Sequence, residues 1–388
     1  TFQKVLQVHK ILVAAGFKAW LAGGCVRDVL LGRRPADYDI VTDASVQDVQ
    51  KLFPHTVLVG EQFGVLRVIH EGEEFEIAQF RKESDYRDGR RPSLVESATP
   101  EEDAFRRDLT VNALFYDPAT QHLYDYVGGL QDLHAQVLRA VGDPRVRFQE
   151  DHLRILRALR FRSQLGFQWS PDLIDAIQSQ VSLLAKVSRE RIRDEYLKLR
   201  RGESFLLVQR CLIEYGVLKA LFPTLSFQPQ QFLAIPSKLD EAVWWELALW
   251  AFRSGSSWRS SVDEIIGLKL SKQEQRSLVQ FLSWFDPSES WMKESTGALI
   301  ERSFAVGARE GLVMWLEQNP GLLAGEARLR EGLRKYSLPP EPWIKAADLP
   351  ELKGPALGAA LKHLYHRQLE ALDSNRDEGL ARWRARQI

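Results

Sequence analysis

Leu21-Ala22-Gly23-Gly24-Cys25-Val26-Arg27-Asp28, followed by Pro35-Ala36-Asp37-Tyr38-Asp39-Ile40-Val41, sets the architecture of everything around it. Lys18 to Ala22 reads as a short strand and Val26 to Leu31 as a helix ended by Gly32. Between them, Gly23-Gly24 forms a turn in which the missing Cβ atoms let backbone N–H groups approach an anion, with Arg27 and Asp28 following in the helix. Asp37 and Asp39 are two apart, so on a strand both carboxylates leave one face and can share divalent cations. Two such ions roughly 3.5–4 Å apart would activate an attacking hydroxyl and stabilise a leaving pyrophosphate. A bare D-x-D is common in surface strands; preceded closely by G-G-x-x-R-D it gains specificity.

Composition narrows the class. The chain has 388 residues, 45% of them hydrophobic, enough for a sizeable core in more than one unit. No apolar run reaches transmembrane length, and Thr1-Phe2-Gln3-Lys4-Val5 lacks the basic and apolar regions of a secretion signal, so a soluble cytoplasmic protein without a membrane partner is expected. Cys25 and Cys211 are too few for a disulfide framework or a cysteine-based metal site. Net charge is zero, which argues against a uniformly basic nucleic-acid binder. Arginines nonetheless gather from Arg139 to Arg201, whereas acids concentrate at Glu71 to Glu76 and Glu96 to Asp103.

The first third reads as a mixed α/β layer. Val5 to Ala15 has helical periodicity and ends at Gly16; Ser45, with Asp48 three residues on, starts a helix to Phe53, stopped by Pro54. Strand-like runs cover 55–59, 65–70 and 75–80, with Glu71-Gly72-Glu73-Glu74 as a hairpin turn. Lys82 to Pro100, rich in Ser, Asp, Gly and Pro, reads as a loop. Leu114 to Tyr116 and His122 to Tyr126 form a last hairpin, and Gly128-Gly129, which no strand–turn–helix with an acidic pair surrounds, reads as a hinge. From Leu130 onward the helical period dominates, and Trp244, Trp245, Trp250 and Trp258 read as helix-packing residues.

Two later stretches carry chemistry. In Arg106-Arg107-Asp108-Leu109-Thr110-Val111-Asn112-Ala113 the guanidiniums can bind triphosphate oxygens, Asp108 can accept from ribose hydroxyls, and Asn112, one turn on, can offer its carboxamide to the same sugar. In Glu150-Asp151-His152-Leu153-Arg154, Asp151 and Arg154 are i,i+3 neighbours on one helix face. Cytosine and adenine both present an exocyclic amino donor beside a ring-nitrogen acceptor, which suits a carboxylate beside a guanidinium; uracil and guanine invert that pattern. Such a pair accepts C and A and rejects U and G. Arg157 and Arg160 follow as phosphate contacts or supports of this pair.

Together G-G-x-x-R-D, D-x-D, R-R-D-x-x-x-N-A, the D-x-x-G-G run at Asp125 to Gly129, and E-D-x-x-R resemble the motifs of class II tRNA nucleotidyltransferases (CCA-adding enzymes) and bacterial poly(A) polymerases, over roughly the first 200 residues. The resemblance implies a polymerase β-like α/β head at 1–135, then an all-α neck at 136–202, body at 203–320 and tail at 321–388. It implies Asp37, Asp39 and Glu76 as catalytic carboxylates, with Asp37 and Asp39 holding Mg²⁺. Nucleotide binding would fall to Gly23, Gly24, Arg27, Asp28, Arg106, Arg107, Asp108, Asn112, Asp151, Arg154, Arg157 and Arg160. The implied partners are tRNA, CTP and ATP, with no stable protein partner evident, and the tail bases Lys362, Arg367, Arg376, Arg382, Arg384 and Arg386 would contact tRNA. In the family, the loop matched by Tyr86-Arg87-Asp88-Gly89-Arg90-Arg91-Pro92 helps the pocket change from CTP to ATP, and the segment matched by Val187 to Glu195 braces the nucleotide-binding helices. The product stays open among full CCA addition, A addition alone, CC addition alone and poly(A) synthesis, as does an inactive RNA-binding module.

Overall fold

In the computed structural model α1 (Phe2–Ala14) buries Val5, Val8, His9 and Leu12 at helical spacing and ends at Gly16, whose φ is +90°. The structure describes residues 2–60, 64–86, 89, 92–235, 240–285, 290–305, 307–318, 320, 326–336, 338–371 and 375–385. They fall into two units, Thr1–Pro223 and Thr224–Ile388.

After α1 the first unit continues with β1 (Ala19–Ala22), α2 (Gly24–Leu30), β2 (Asp39–Thr42), α3 (Val46–Leu52), β3 (Thr56–Gly60), β4 (Val65–His70) and β5 (Glu73–Gln79). After β6 (Arg81–Tyr86), β7 (Pro92–Ser97) and α4 (Pro100–Phe105) come β8 (Leu114–Asp117) and β9 (His122–Asp125). Seven strands form one mixed sheet in the order β3-β4-β5-β2-β1-β8-β9, in which β2 and β5 run parallel and the other neighbours antiparallel. All four β1 residues are buried, and Trp20, Val41, Phe80 and Phe115 build a core in which Tyr124 stacks on Trp20 at 4.1 Å. Ser45 caps α3 by accepting from the Asp48 N–H at 3.2 Å, as its spacing predicts. The turn before β5 is shorter than the sequence reading: Glu71 and Gly72 take positive φ, while Glu73 and Glu74 already belong to the strand.

Residues 82–100 correct the loop reading. They hold the two-stranded β6–β7 ribbon, paired from Arg81↔Ser97 to Tyr86↔Pro92, and the start of α4. The ribbon escapes a reading by hydrophobic alternation because charged side chains line it, with Lys82–Glu96 pairing across the strands at 3.3 Å and Arg81–Glu83 along β6 at 2.7 Å. At its tip, Arg87, Asp88, Arg90 and Arg91 lie outside the described residues.

The unit continues through α5 (Gly129–Ala135), β10 (Val137–Leu138), α6 (Pro144–Glu150), α7 (Arg154–Leu165), β11 (Gln168–Trp169), α8 (Pro171–Gln180), α9 (Arg189–Arg200), α10 (Phe205–Glu214) and α11 (Val217–Leu221). Both oxygens of Asp125 accept backbone N–H bonds from Val127 to Leu130 at 2.8–3.2 Å, so the Gly128-Gly129 amides are already taken and form no second anion cradle.

The second unit is helical: α12 (Ala242–Arg253), α13 (Trp258–Ile266), α14 (Lys272–Leu282), α15 (Thr296–Arg302), α16 (Ala308–Gln318), α17 (Glu326–Lys335), α18 (Gly354–Leu369) and α19 (Arg376–Ala385). Trp244, Trp245 and Trp250 are buried core residues, with Trp245 stacked on Phe281 at 5.2 Å. Among the described residues no helix is long and apolar enough to cross a membrane.

Candidate active site

Gly23 ends β1. With φ at +74° it leaves the strand, so the last rung of the β1–β2 pair is Ala22↔Asp39 and nothing remains for residues before Asp39 to pair with. That corrects the expectation for the carboxylates: Asp39 opens β2, whereas Asp37 precedes the strand and is exposed. Glu76 is the parallel register partner of Asp39, which puts the two side chains on the same face of neighbouring strands. Burial, then the charges of Glu76 and Asp37, push the Asp39 carboxyl up to about 7 against the opposing pull of Arg107.

This donor set fits a hard divalent cation. The charges of Glu76 and Asp37 both bear on the Asp39 carboxyl, and a cation would relieve that repulsion with the oxygen ligands it prefers. Among the described residues no three His, Cys, Asp or Glu side chains converge into a ready-made cage.

Above the strands, buried Arg27 donates to Asn112 Oδ1 at 2.5 Å and to Asp28 Oδ1 at 2.9 Å, and its guanidinium lies 5.4 Å from the Phe161 ring centroid. Asn112 in turn donates to Asp108 Oδ1 at 3.3 Å, and Asp108 Oδ2 receives Arg157 Nε at 2.7 Å and Nη2 at 2.6 Å. Burial alone would raise the Asp108 carboxyl, but Arg157 and then Arg154 outweigh it and hold it well below the usual range. Asp108 is thus a junction between the sheet and α7. Asp108→Asn is expected to cost about 2 kcal/mol at pH 7, because it leaves the half-buried Arg157 guanidinium without its carboxylate partner. A carboxyl lowered in the folded state stabilises fully above its unfolded value, about 3.9, and loses that contribution as pH falls through the folded value. The difference between wild type and variant in urea titrations should therefore be largest near neutrality and shrink below about pH 4.

Arg106 and Arg107 share a residue that the motif reading passed over. Buried Asp103 takes Arg106 at 2.7 Å on one oxygen and Arg107 at 3.0 Å on the other. Its i,i+3 and i,i+4 spacing within an acidic run was the available signal. Arg107 Nη1 also donates to the Asn112 carbonyl at 3.1 Å and would stand 3.0 Å from a Cβ at Gly23, so it lies against the glycine turn. Arg106 is bound to Asp103, to Glu83 at 3.3 Å and to the Arg81 carbonyl at 3.1 Å.

Asp151 and Arg154 require a second correction. They do not share a helix: Asp151, with φ −139°, terminates α6, and Arg154 begins α7. The Asp151 side chain competes with helix continuation by accepting the Leu153 N–H at 3.1 Å. Its other oxygen pairs with Arg191 of α9 at 2.8 Å. Arg154 pairs with Glu150 at 2.5 Å and donates to the Arg106 carbonyl at 2.9 Å. Arg160 forms an ion pair with Glu195 at 2.5 Å, and Arg157 holds Asp108, so both arginines support the site's frame. Arg191 and Glu195 were legible only as a bracing segment; no spacing assigns them partners 35 to 40 residues away.

The seven-stranded mixed sheet, with Asp39 and Glu76 on its adjacent interior strands β2 and β5 and a glycine turn opening α2, is the frame that carries the site. Profiles of the poly A polymerase head domain and of the "probable RNA and SrmB- binding site of polymerase A" match residues 19–139 and 166–228. The CCA-adding enzyme of Bacillus subtilis (strain 168) is 47% identical over 221 residues, 57% of this chain and 55% of that enzyme. Poly(A) polymerase I of Escherichia coli O6:H1 is 38% identical over 235 residues, 58% of this chain and 50% of that protein. The matched part spans about half the length of these curated relatives. The crystal structure of the Bacillus stearothermophilus CCA-adding enzyme in complex with CTP superposes with a TM-score of 0.75 at 27% identity, covering 100% of this chain and 98% of that one. The Thermotoga maritima CCA-adding enzyme complexed with tRNA_CCA shares the fold, with a TM-score of 0.71 at 21% identity over 99% of this chain and 96% of that one. Over these spans the chain is similar to CCA-adding enzymes and to a bacterial poly(A) polymerase.

Proposed function

We propose that this chain adds C, C and A to the 3′ end of tRNA from CTP and ATP in the cytoplasm, with protein side chains in place of a nucleic-acid template. The observation that carries the reading is a line of contacts from the Gly23 turn to α7, with Asp39 joined to its start through the charge of Arg107. Arg107 lies against the Gly23 turn and acts on Asp39; Asn112 joins Arg27 to Asp108; Asp108 holds Arg157; the Arg106 carbonyl holds Arg154. In this proposal one bound nucleotide spans the carboxylates and the selecting helices.

In this reading Asp37 and Asp39 hold Mg²⁺, which when bound supplies Lewis acidity to the attacking tRNA 3′-hydroxyl and the departing pyrophosphate. Glu76, on the face of Asp39, assists removal of the hydroxyl proton. Gly23 and Gly24 let the triphosphate approach the first turn of α2, Arg106 and Arg107 supply positive charge beside it, and Arg27 and Asp28 fix that turn. Asp108 and Asn112 serve the ribose. Asp151 and Arg154 offer an acceptor and a donor to the edge that cytosine and adenine share, on a frame held by Arg157 and Arg160. The division into head (1–135), neck (136–202), body (203–320) and tail (321–388) is part of this proposal, as is tRNA contact by the tail bases. Of these bases, Arg376 pairs with Asp348 and Arg382 with Glu378, while Arg386 lies outside the described residues.

The test is to incubate the purified chain with tRNAs ending at the discriminator, at C and at CC, each with one labelled nucleotide. CMP addition to the first two and AMP addition to the third supports the proposal. AMP addition to the third alone indicates an A-adding enzyme, CMP addition alone a CC-adding enzyme, long A tails a poly(A) polymerase, and no incorporation an RNA-binding module.

A further inference from the structure

Three guanidiniums converge on one buried ring. Phe161 of α7 is 5% exposed, and the guanidinium carbons of Arg160, Arg27 and Arg157 lie 4.1, 5.4 and 5.5 Å from its centroid. Each distance falls inside the roughly 6 Å over which a ring face attracts a cation. Arg157 stands one turn before Phe161 on the same helix, whereas Arg27 arrives from α2.

Buried Arg27 spends its N–H groups on Asn112 Oδ1 at 2.5 Å and on Asp28 Oδ1 at 2.9 Å from Nε and 2.7 Å from Nη2. A guanidinium donates in its own plane, so these bonds occupy its edge and leave its faces to be met by something other than an acceptor. An aromatic ring meets such a face with attraction, where an aliphatic side chain of similar size would only fill the space. The contacts then close a circuit. Phe161 meets Arg27, Arg27 holds Asn112, Asn112 holds Asp108, Asp108 holds Arg157, and Arg157 returns to Phe161. Within that circuit the ring alone has no hydrogen-bonding group, and it joins α2 to α7.

We propose that Phe161 is a positioning residue for the nucleotide: its π face draws Arg27 against α7 and so fixes the spacing between the turn that takes the triphosphate and the helix that frames base and ribose. The inference rests on the nucleotide site proposed above and adds to it a buried ring that acts through Arg27. Because a spacing serves every nucleotide alike, the ring governs affinity for CTP and ATP together and not the choice between them.

The test replaces Phe161 in the full chain with phenylalanines carrying one, two and three fluorines, which weaken the negative ring face stepwise and barely change its shape. Equilibrium Kd values for CTP and for ATP in Mg²⁺ should climb in parallel with each fluorine, to about tenfold at three. Protection of the Arg27 Nε proton against exchange, read by NMR without nucleotide, should fall at least about threefold along the same series. Kd values that stay flat make the ring mere packing and overturn the positioning role, and a rise for one nucleotide alone overturns the spacing. Unchanged protection of the Arg27 proton overturns the hold on that residue. A wild-type chain that binds neither CTP nor ATP instead removes the nucleotide site on which the inference rests.

Discussion

Alanine at position 39 is expected to reduce incorporation of both CMP and AMP at least about a thousandfold, because it removes the carboxylate at the closed end of the β1–β2 ladder that faces Glu76. Affinity for tRNA should stay within about twofold of wild type, since that contact is assigned to other surfaces. Filter binding and single-turnover kinetics separate the two. The asparagine variant should differ in a second way: in chelator it removes a buried carboxylate crowded by Glu76 and Asp37, so it should unfold at a higher temperature than wild type, by about 1 kcal/mol of stability. Turnover retained by Asp39→Ala would refute the catalytic assignment. A lower melting temperature for Asp39→Asn would contradict the crowding of carboxylates.

Asp151→Ala should weaken base choice more than it weakens triphosphate binding. The carboxylate is the acceptor proposed for the amino group of cytosine and adenine, and its loss should cut discrimination against UTP about a hundredfold while the KM for CTP rises less than about tenfold. Arg191 loses its 2.8 Å partner in that variant, so some loss of stability is expected too. Arg191→Ala controls for it: the carboxylate remains while the brace goes, and discrimination should fall by less than in Asp151→Ala. Discrimination unchanged in Asp151→Ala would remove the selecting role, and equal losses in both variants would make the residue a scaffold.

Much of the head was legible because its signals are local. Gly23 ends a strand by its own φ, Ser45 caps the helix beside it, and the paired acids at 37 and 39 stand out whatever surrounds them. The β6–β7 ribbon was not, because a two-stranded element held by cross-strand charges carries neither an apolar stripe nor a period-two core face. Asp151 and Arg154 show the limit more sharply. Their spacing suits a helical pair, yet the Asp151 side chain caps its own turn and each residue finds a different partner.

By itself, the amino-acid sequence determined the α/β head and the helical remainder, and it singled out the carboxylates and arginines that the proposal uses, since each rests on residue type and short-range spacing. Which arginine meets which carboxylate was decided only by tertiary structure: Arg157 with Asp108, Arg160 with Glu195, Arg191 with Asp151 and both Arg106 and Arg107 with Asp103. The physical reason is that a charge pair depends on distance and burial, and both are set by how helices far apart in the chain pack together. The hydrogen bond from the His152 backbone N–H to the Gly89 carbonyl at 3.0 Å belongs to the same class, since no periodicity encodes a contact between residues 63 positions apart.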